Sequence, residues 1–516
     1  MTCFPGLRTH AISARESEVR SVASHQPNIL IFMVDHGQSS VFGGQHPAIT
    51  PNTTRVAAEG IRFTEAYCPA AHCCPSRASF MTGLMPSQHG IYNNVSNSSA
   101  INRGLAEGAV PFSEHLAGAG YDLRYCGKWH VSDLTGPKDH GWREHYVTSN
   151  RDASRERAQD RWWRGGEEGG GTGARERGWG ELVTPGWGGY RLFSSIDPGE
   201  PPPADERVVG AAVESLSELC GRNDPWCLFV GPIGPHDPYR VPKRFVDRYD
   251  LSEIVLPESY RDSLRDKPNV YRRLREHLWS QLSEEEYKDA VRHYWAYCTY
   301  EDELFGQLLD LLEERHRVDD TVVVFLSDHG DYAGAHGLFL KGVPAFREAY
   351  NIPAIVRWPA GVSNPGREVD ALVSLADFAP TFLELARADG GKSTLAGSSL
   401  VPFFSSSDVE AWRSSLDTQF NGVELLYTQR AVITKRWKFV YNGFDFDELY
   451  DRAADPSELK NLAQQERYAD MVGKLSQEMW RLADCHEDWM ISNRYTPVRL
   501  ARRGPALGYG DVLELV

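Results

Sequence analysis

The 516-residue chain is short of positive charge: 55 Lys and Arg stand against 71 Asp and Glu, a formal net charge of −16 at pH 7. Proteins that bind nucleic acid usually present a basic face, so no nucleic-acid partner is expected. The acidic balance leaves the substrate open, because a locally positive pocket still focuses the field on an anion. Long apolar runs are also missing. None approaches the roughly 18 residues of a spanning helix, and no membrane partner is expected. The segment before Gln26 carries Arg8, His10, Arg15, Glu16, Glu18 and Arg20 and lacks the apolar centre of a secretory leader. Cysteines are few, odd in number at nine, and scattered. They offer no disulfide framework and point to a reducing, cytoplasmic setting. No internal repeat is visible.

What is present fits a soluble globular protein: 41% hydrophobic and 24% charged residues. The length exceeds what a single core usually supports, so two domains, or one large domain with an appendage, are expected. Asn28–Val34 is a nearly continuous apolar run, as in a strand covered on both faces. Similar runs lie at Trp226–Val230, Thr321–Leu326 and around Ile352–Val356, with helical patterns between them at Pro111–Ala119, Asp205–Leu219, Glu284–Glu314 and Asp377–Ala386. Strands alternating with helices predict an α/β fold with a large, mainly parallel sheet flanked by helices. Residues 1–26 read as an N-terminal extension, 27–420 as the catalytic domain, and 421–516 as a smaller C-terminal α+β subdomain with a tail. In that subdomain Val423–Tyr427, Ala431–Thr434 and Lys438–Tyr441 read as short strands and Glu466–Ala483 as a helix. The glycine-rich stretch 151–190, flanked by Trp162, Trp163, Trp179 and Trp187, reads as either a surface loop or an aromatic lid.

Chemistry in such sheets gathers beyond the carboxyl ends of strands. Asp35-His36, Pro235-His236-Asp237-Pro238 and Asp328-His329-Gly330 each follow a predicted strand. The most constrained pattern is Cys73-Cys74-Pro75-Ser76-Arg77 with Thr82-Gly83 after it. Pro75 is compatible with a first helical turn. A helix N-terminus there, with the fixed cationic fork of Arg77, favours an anion. The stretch resembles the C-x-P-S-R-x-x-x-x-T-G signature of the formylglycine-dependent (type I) sulfatases, within the alkaline phosphatase superfamily. Gly127-Lys128-Trp129-His130, the histidine in Pro235-His236-Asp237-Pro238, Asp328-His329 and the lysine in Gly337–Gly342 resemble further motifs of that family, in the family's order.

The resemblance implies an alkaline-phosphatase-like fold and hydrolysis of a small organosulfate. It implies that a formylglycine-generating enzyme oxidises Cys73 to an aldehyde whose hydrate attacks sulfur. Asp35, Cys73, Asp328 and His329 would hold a divalent metal, usually calcium in this family. Where the family often has a second Asp, this chain has His36, and an imidazole there widens the choice toward manganese or zinc. Arg77, Lys128 and Lys341 would stabilise charge on the sulfate. His236 would protonate the leaving group and His130 would take the remaining hydroxyl proton. Trp162, Trp163 and Tyr239 hint at an aromatic wall. Other readings are a phosphonate monoester or phosphodiester hydrolase on the same scaffold, and a non-catalytic metal-binding relative. A homo-oligomer is compatible with the sequence.

Overall fold

The run Asn28–Val34 forms a strand, β1, buried along its whole length. It lies inside an eight-stranded sheet. In chain order the others are β2 (Ile61–Phe63), β3 (Asp122–Lys128), β4 (Arg143–Thr148), β5 (Trp226–Gly231), β6 (Thr321–Ser327), β7 (Ala354–Arg357) and β8 (Arg367–Val369). The spatial order is β8-β2-β7-β6-β1-β5-β3-β4. β1 pairs in parallel with β6 on one side and β5 on the other, and β3 continues the parallel run between β5 and β4. β7 runs antiparallel to both β6 and β2. The structure, a computed structural model, describes residues 26–148, 177–183, 189–390, 395–423, 425–443 and 445–492. Trp162, Trp163, Trp187 and the tail after Ser492 lie outside them, as does most of the glycine-rich stretch. Trp179 is described, and its indole N–H donates to Asp289 at 2.8 Å. Among the described residues, no helix is long and apolar enough to cross a membrane.

Helices cover the sheet: α1 (Pro51–Ala58), α2 (Cys73–Thr82), α3 (Phe112–Gly118), α4 (Ala204–Cys220), α5 (Glu284–Glu314) and α6 (Phe378–Ala386). α5 begins with a capping box. The Ser283 hydroxyl accepts from the Glu286 N–H at 3.2 Å, and the Ser283 N–H donates to the Glu286 carboxylate at 2.8 Å. Every residue of α2 is buried, and the helix stops at Gly83, whose φ of 70° favours glycine.

A second, four-stranded antiparallel sheet follows: β9 (Ser415–Phe420), β10 (Gln429–Thr434), β11 (Trp437–Asn442) and β12 (Glu448–Asp451). It starts at Ser415, ahead of the boundary drawn at 421. Side chains alternate between its faces. Ala431, Ile433, Val440 and Tyr450 join the core of the large domain, while Val432, Phe439, Tyr441 and Leu449 pack on α7 (Ala469–Cys485). Among the described residues of the segment expected as a strand at Val423–Tyr427, none is in a strand. Gly422, at φ 77°, opens a tight turn there, and Leu425 and Leu426 face solvent, so the apolar letters do not mark a buried strand.

Candidate active site

The residues singled out in the sequence converge beyond the carboxyl ends of the interior strands of the large sheet. Asp35 and His36 follow β1, Asp328 and His329 follow β6, and Lys128 ends β3 with His130 just beyond. His236 comes from the turn after β5, and Lys341 from the loop after β6. α2 delivers Cys73 at its first position and Arg77 one turn on. The base of the cluster is buried, while His130, His236 and Lys341 are partly exposed: Asp35, His36, Asp328 and His329 have no exposed surface, and Cys73 and Arg77 are each 1% exposed. Both His36 and His130 have positive φ, 68° and 51°. Side chains rarely adopt such backbone without a functional or packing reason.

Cys73 Sγ lies 3.2 Å from His329 Nε2 and 3.7 Å from Asp35 Oδ1. His130 also reaches the sulfur. Arg77 bridges two carboxylates: its Nε donates to Asp328 at 2.7 Å, and Nη2 lies 3.5 Å from Asp35 Oδ2. Its Nη1 donates to the Lys128 carbonyl at 3.0 Å. Lys128 Nζ bonds Asp35 Oδ2. Lys341 Nζ contacts both His36 Nε2 and His236 Nε2, the latter at 3.1 Å. On its far side His236 Nδ1 faces Asp237, 2.6 Å from the carbonyl and 3.0 Å from the carboxylate.

These contacts set the protonation states. Burial alone would raise Cys73, but Lys128, Lys341 and His329 draw it well below the ordinary thiol value. Burial and Cys73 push Asp35 upward, and Lys128, His236 and Arg77 outweigh them, holding it well below the usual carboxylate range. Burial, with Lys128 beside it, lowers His130 to about 4, so that its imidazole is neutral at pH 7. Burial works to discharge Lys341, yet Cys73, Asp237, Asp35 and Asp331 prevail and raise it.

The donor set fits a divalent cation. Donor atoms of Asp35, Cys73, Asp328 and His329 lie within 4.8 Å of one another, and those of Asp35, His36, Cys73 and His236 form a second such group. His329 Nε2 is 3.6 Å from Asp35 Oδ1 and 3.8 Å from Asp328 Oδ1. Two buried carboxylates and an imidazole facing one point suit a cation that accepts oxygen and nitrogen. His36 belongs to the second group, with its Nε2 3.8 Å from Asp35 Oδ1.

The sequence pattern of the family described as "Sulfatase" matches residues 27–388. The chain belongs to the sulfatase family. It is thereby a sulfuric ester hydrolase on the alkaline-phosphatase-like scaffold. The pattern "N-sulphoglucosamine sulphohydrolase, C-terminal" matches residues 334–485 of this sulfatase. A choline-sulfatase of Rhizobium meliloti (strain 1021) is 30% identical over 468 residues, covering 86% of this chain and 83% of that protein. An arylsulfatase of Clostridium perfringens (strain 13 / Type A) is 26% identical over 474 residues, 87% of this chain and 93% of its own. Among solved structures, a protein in complex with its substrate D-glucosamine-2-N,6-O-disulfate aligns with a TM-score of 0.68 at 22% identity, over 90% of this chain and 99% of that one. The phosphonate monoester hydrolase of Agrobacterium radiobacter aligns at 0.70 and 21%, over 89% and 96%. The structural likenesses concern the fold.

One feature of this sulfatase, Asp331, escaped the sequence reading, and one expectation, for Tyr239, is corrected. Asp331 accepts from Tyr239 Oη at 2.8 Å, from the Ala333 and Leu340 N–H groups at 2.8 and 2.9 Å, and pairs with His36 Nδ1 at 2.8 Å. It thus ties the loop bearing Lys341 to His36. Its place just after Asp328-His329-Gly330 was the one available signal. Tyr239 is fully buried beneath that carboxylate, so it packs under the site and forms no open aromatic wall. His89 likewise serves packing, bonded to Ser79 Oγ at 2.9 Å.

Proposed function

We propose that the chain hydrolyses small organic sulfate esters with an aldehyde derived from Cys73 and a divalent metal held by Asp35, Asp328 and His329 together with residue 73. The observation that carries this reading is the placement of the Cys73 sulfur, at the first position of α2, against His329, Asp35 and His130 within a shell of buried cations. When present, the aldehyde hydrate supplies a nucleophilic oxygen and the metal supplies positive charge for that oxygen and for the sulfate. Calcium suits the carboxylates, and the His329 nitrogen equally admits manganese.

The chain's own groups take the remaining roles. Arg77 holds Asp328 in place and keeps two buried carboxylates from repelling one another. Lys128 and Lys341 present charge to the sulfate oxygens, where charge spreads during cleavage. His236, oriented at Nδ1 by Asp237, directs Nε2 toward Lys341 and gives a proton to the departing alkoxide. His130 is neutral at working pH and accepts a proton beside residue 73. A formylglycine-generating enzyme is the partner this chemistry needs.

The test has two parts. Mass analysis of the peptide containing Cys73, from protein made alongside an oxidising enzyme, should find it lighter by the difference between a thiol methylene and an aldehyde. Cys73→Ala and Lys128→Ala should each abolish turnover of an aryl sulfate while circular dichroism stays unchanged; full activity in either variant defeats the mechanism. A phosphonate monoester assayed in parallel separates the neighbouring activity, and intact Lys128 and His130 favour sulfate.

A further inference from the structure

Behind His236, away from the reacting groups, two carboxyl groups meet, and among the described residues no Lys, Arg or His forms an ion pair with either. Asp205 stands in the first turn of α4. Its Oδ1 accepts from the Ile233 N–H at 2.6 Å and its Oδ2 from the Tyr297 hydroxyl at 2.9 Å, and the Gly234 N–H also points at it. Glu301, one turn beyond Tyr297 on α5, has no exposed surface. Neither of its oxygens meets an N–H or O–H among the described residues, and its carboxyl group lies within hydrogen-bonding reach of Asp205. Two carboxylates cannot both stay charged in such contact, so a proton lies between them. Asp205 has several donors and the positive end of a helix, so the charge stays there. Burial and Asp205 both push Glu301 well above the ordinary carboxyl range.

We infer that Glu301 is a carboxylic acid that donates its proton to Asp205, and that this pair is a positioning device for the turn that carries His236. The turn is closed against the pair: a Cβ on Gly234 would sit 2.2 Å from Glu301 Oε1. From this anchor one bond leads to each half of the site. The His236 N–H donates to the Ile233 carbonyl at 3.1 Å, and the Asp35 N–H donates to the Gly234 carbonyl at 3.0 Å. A well-packed apolar pair would serve stability as well or better, so retention of the acid pair points to alignment.

The kinetic part of the test rests on the proposed role of His236; the spectroscopic part does not. Infrared difference spectra of the full-length protein at neutral pH, wild type minus Glu301→Gln, should contain the carbonyl band of a protonated carboxylic acid. Its absence overturns the inference whatever the kinetics. Glu301→Gln can still donate to Asp205 and should keep kcat close to wild type. Glu301→Leu removes the donor and should lower kcat by roughly 10- to 100-fold with little change in KM. That loss should grow as the leaving group of the aryl sulfate becomes poorer. Equal losses in Glu301→Gln and Glu301→Leu overturn the pairing. His236→Asn serves as reference. If it shows the leaving-group dependence and Glu301→Leu does not, positioning is overturned. If His236→Asn itself shows none, the assignment of His236 as proton donor fails instead.

Discussion

Arg77 stands between two buried carboxylates, and removing it leaves both without their shared counter-charge. Arg77→Ala should therefore lower unfolding free energy by about 3–5 kcal/mol, read by urea denaturation with metal chelated. His89 gives a prediction in pH. It is fully buried, pairs with Ser79 and accepts from the Ile91 N–H at 3.1 Å, and burial lowers its pKa from 6.5 to about 3. The unfolded chain therefore binds the proton first. Stability contributed by neutral His89 is complete above pH 6.5 and is lost as pH falls toward 3, at about 1.4 kcal/mol per pH unit. His89→Gln cannot titrate, and its urea midpoint should fall less between pH 7 and pH 5. At this scale the sequence was most legible where several residue types recur at fixed spacing, as in Cys73–Arg77 and Lys128–His130. It was silent on Asp331, Asp205 and Glu301. A lone carboxylate in a sequence reads as a solvated side chain, and the partners that bury these three come from elements far along the chain.

Elements hold the site by close approach of backbones. Gly127, on β3, pairs in register with Gly231 on β5, and its φ is 105°. A Cβ there would lie 2.1 Å from the Gly231 carbonyl oxygen. Gly127→Ala must spread the two strands and strain the backbone, at roughly 1–3 kcal/mol. Because Lys128 is the next residue, aryl sulfate turnover should fall at least as sharply as stability. Thermal unfolding and steady-state rates on the same preparation check this, and full activity in Gly127→Ala would show that strand spacing does not set the position of Lys128. The central strands were readable because both faces are buried, which turns Asn28–Val34 and Thr321–Ser327 into continuous apolar runs. β9 was not. Its sequence, SLDTQF, is polar, and its polar groups are buried through pairing: the Gln419 N–H donates to the Pro69 carbonyl at 2.7 Å, and its side chain accepts from the Ser87 N–H at 2.9 Å.

Across the whole molecule, the second sheet is fastened to the first domain by buried polar groups as well as by its apolar face. Lys438, 3% exposed, bonds Glu458 and donates to the Ala345 carbonyl at 2.6 Å. Glu448 accepts from the Tyr271 hydroxyl at 2.7 Å, and Arg452 bonds Glu65 and Tyr67. Lys438→Ala strands Glu458 in the interior and should cost about 3–5 kcal/mol. The two parts should unfold together, with tryptophan fluorescence and circular dichroism tracing one transition before and after the substitution; separate transitions would show that the sheet is an independent unit. The central position of β1 has a further consequence, one of timing. Its two neighbours in the sheet begin at Trp226 and Thr321, and Cys73 and its partner His329 are 256 positions apart. At 5–20 residues per second, synthesis takes roughly 10–50 s to cover that stretch. For that interval Cys73 has been made while β6, with Asp328 and His329, has not. Under the maturation proposed above, an oxidising enzyme would meet a more accessible thiol in that interval than in the folded chain, where Cys73 is 1% exposed.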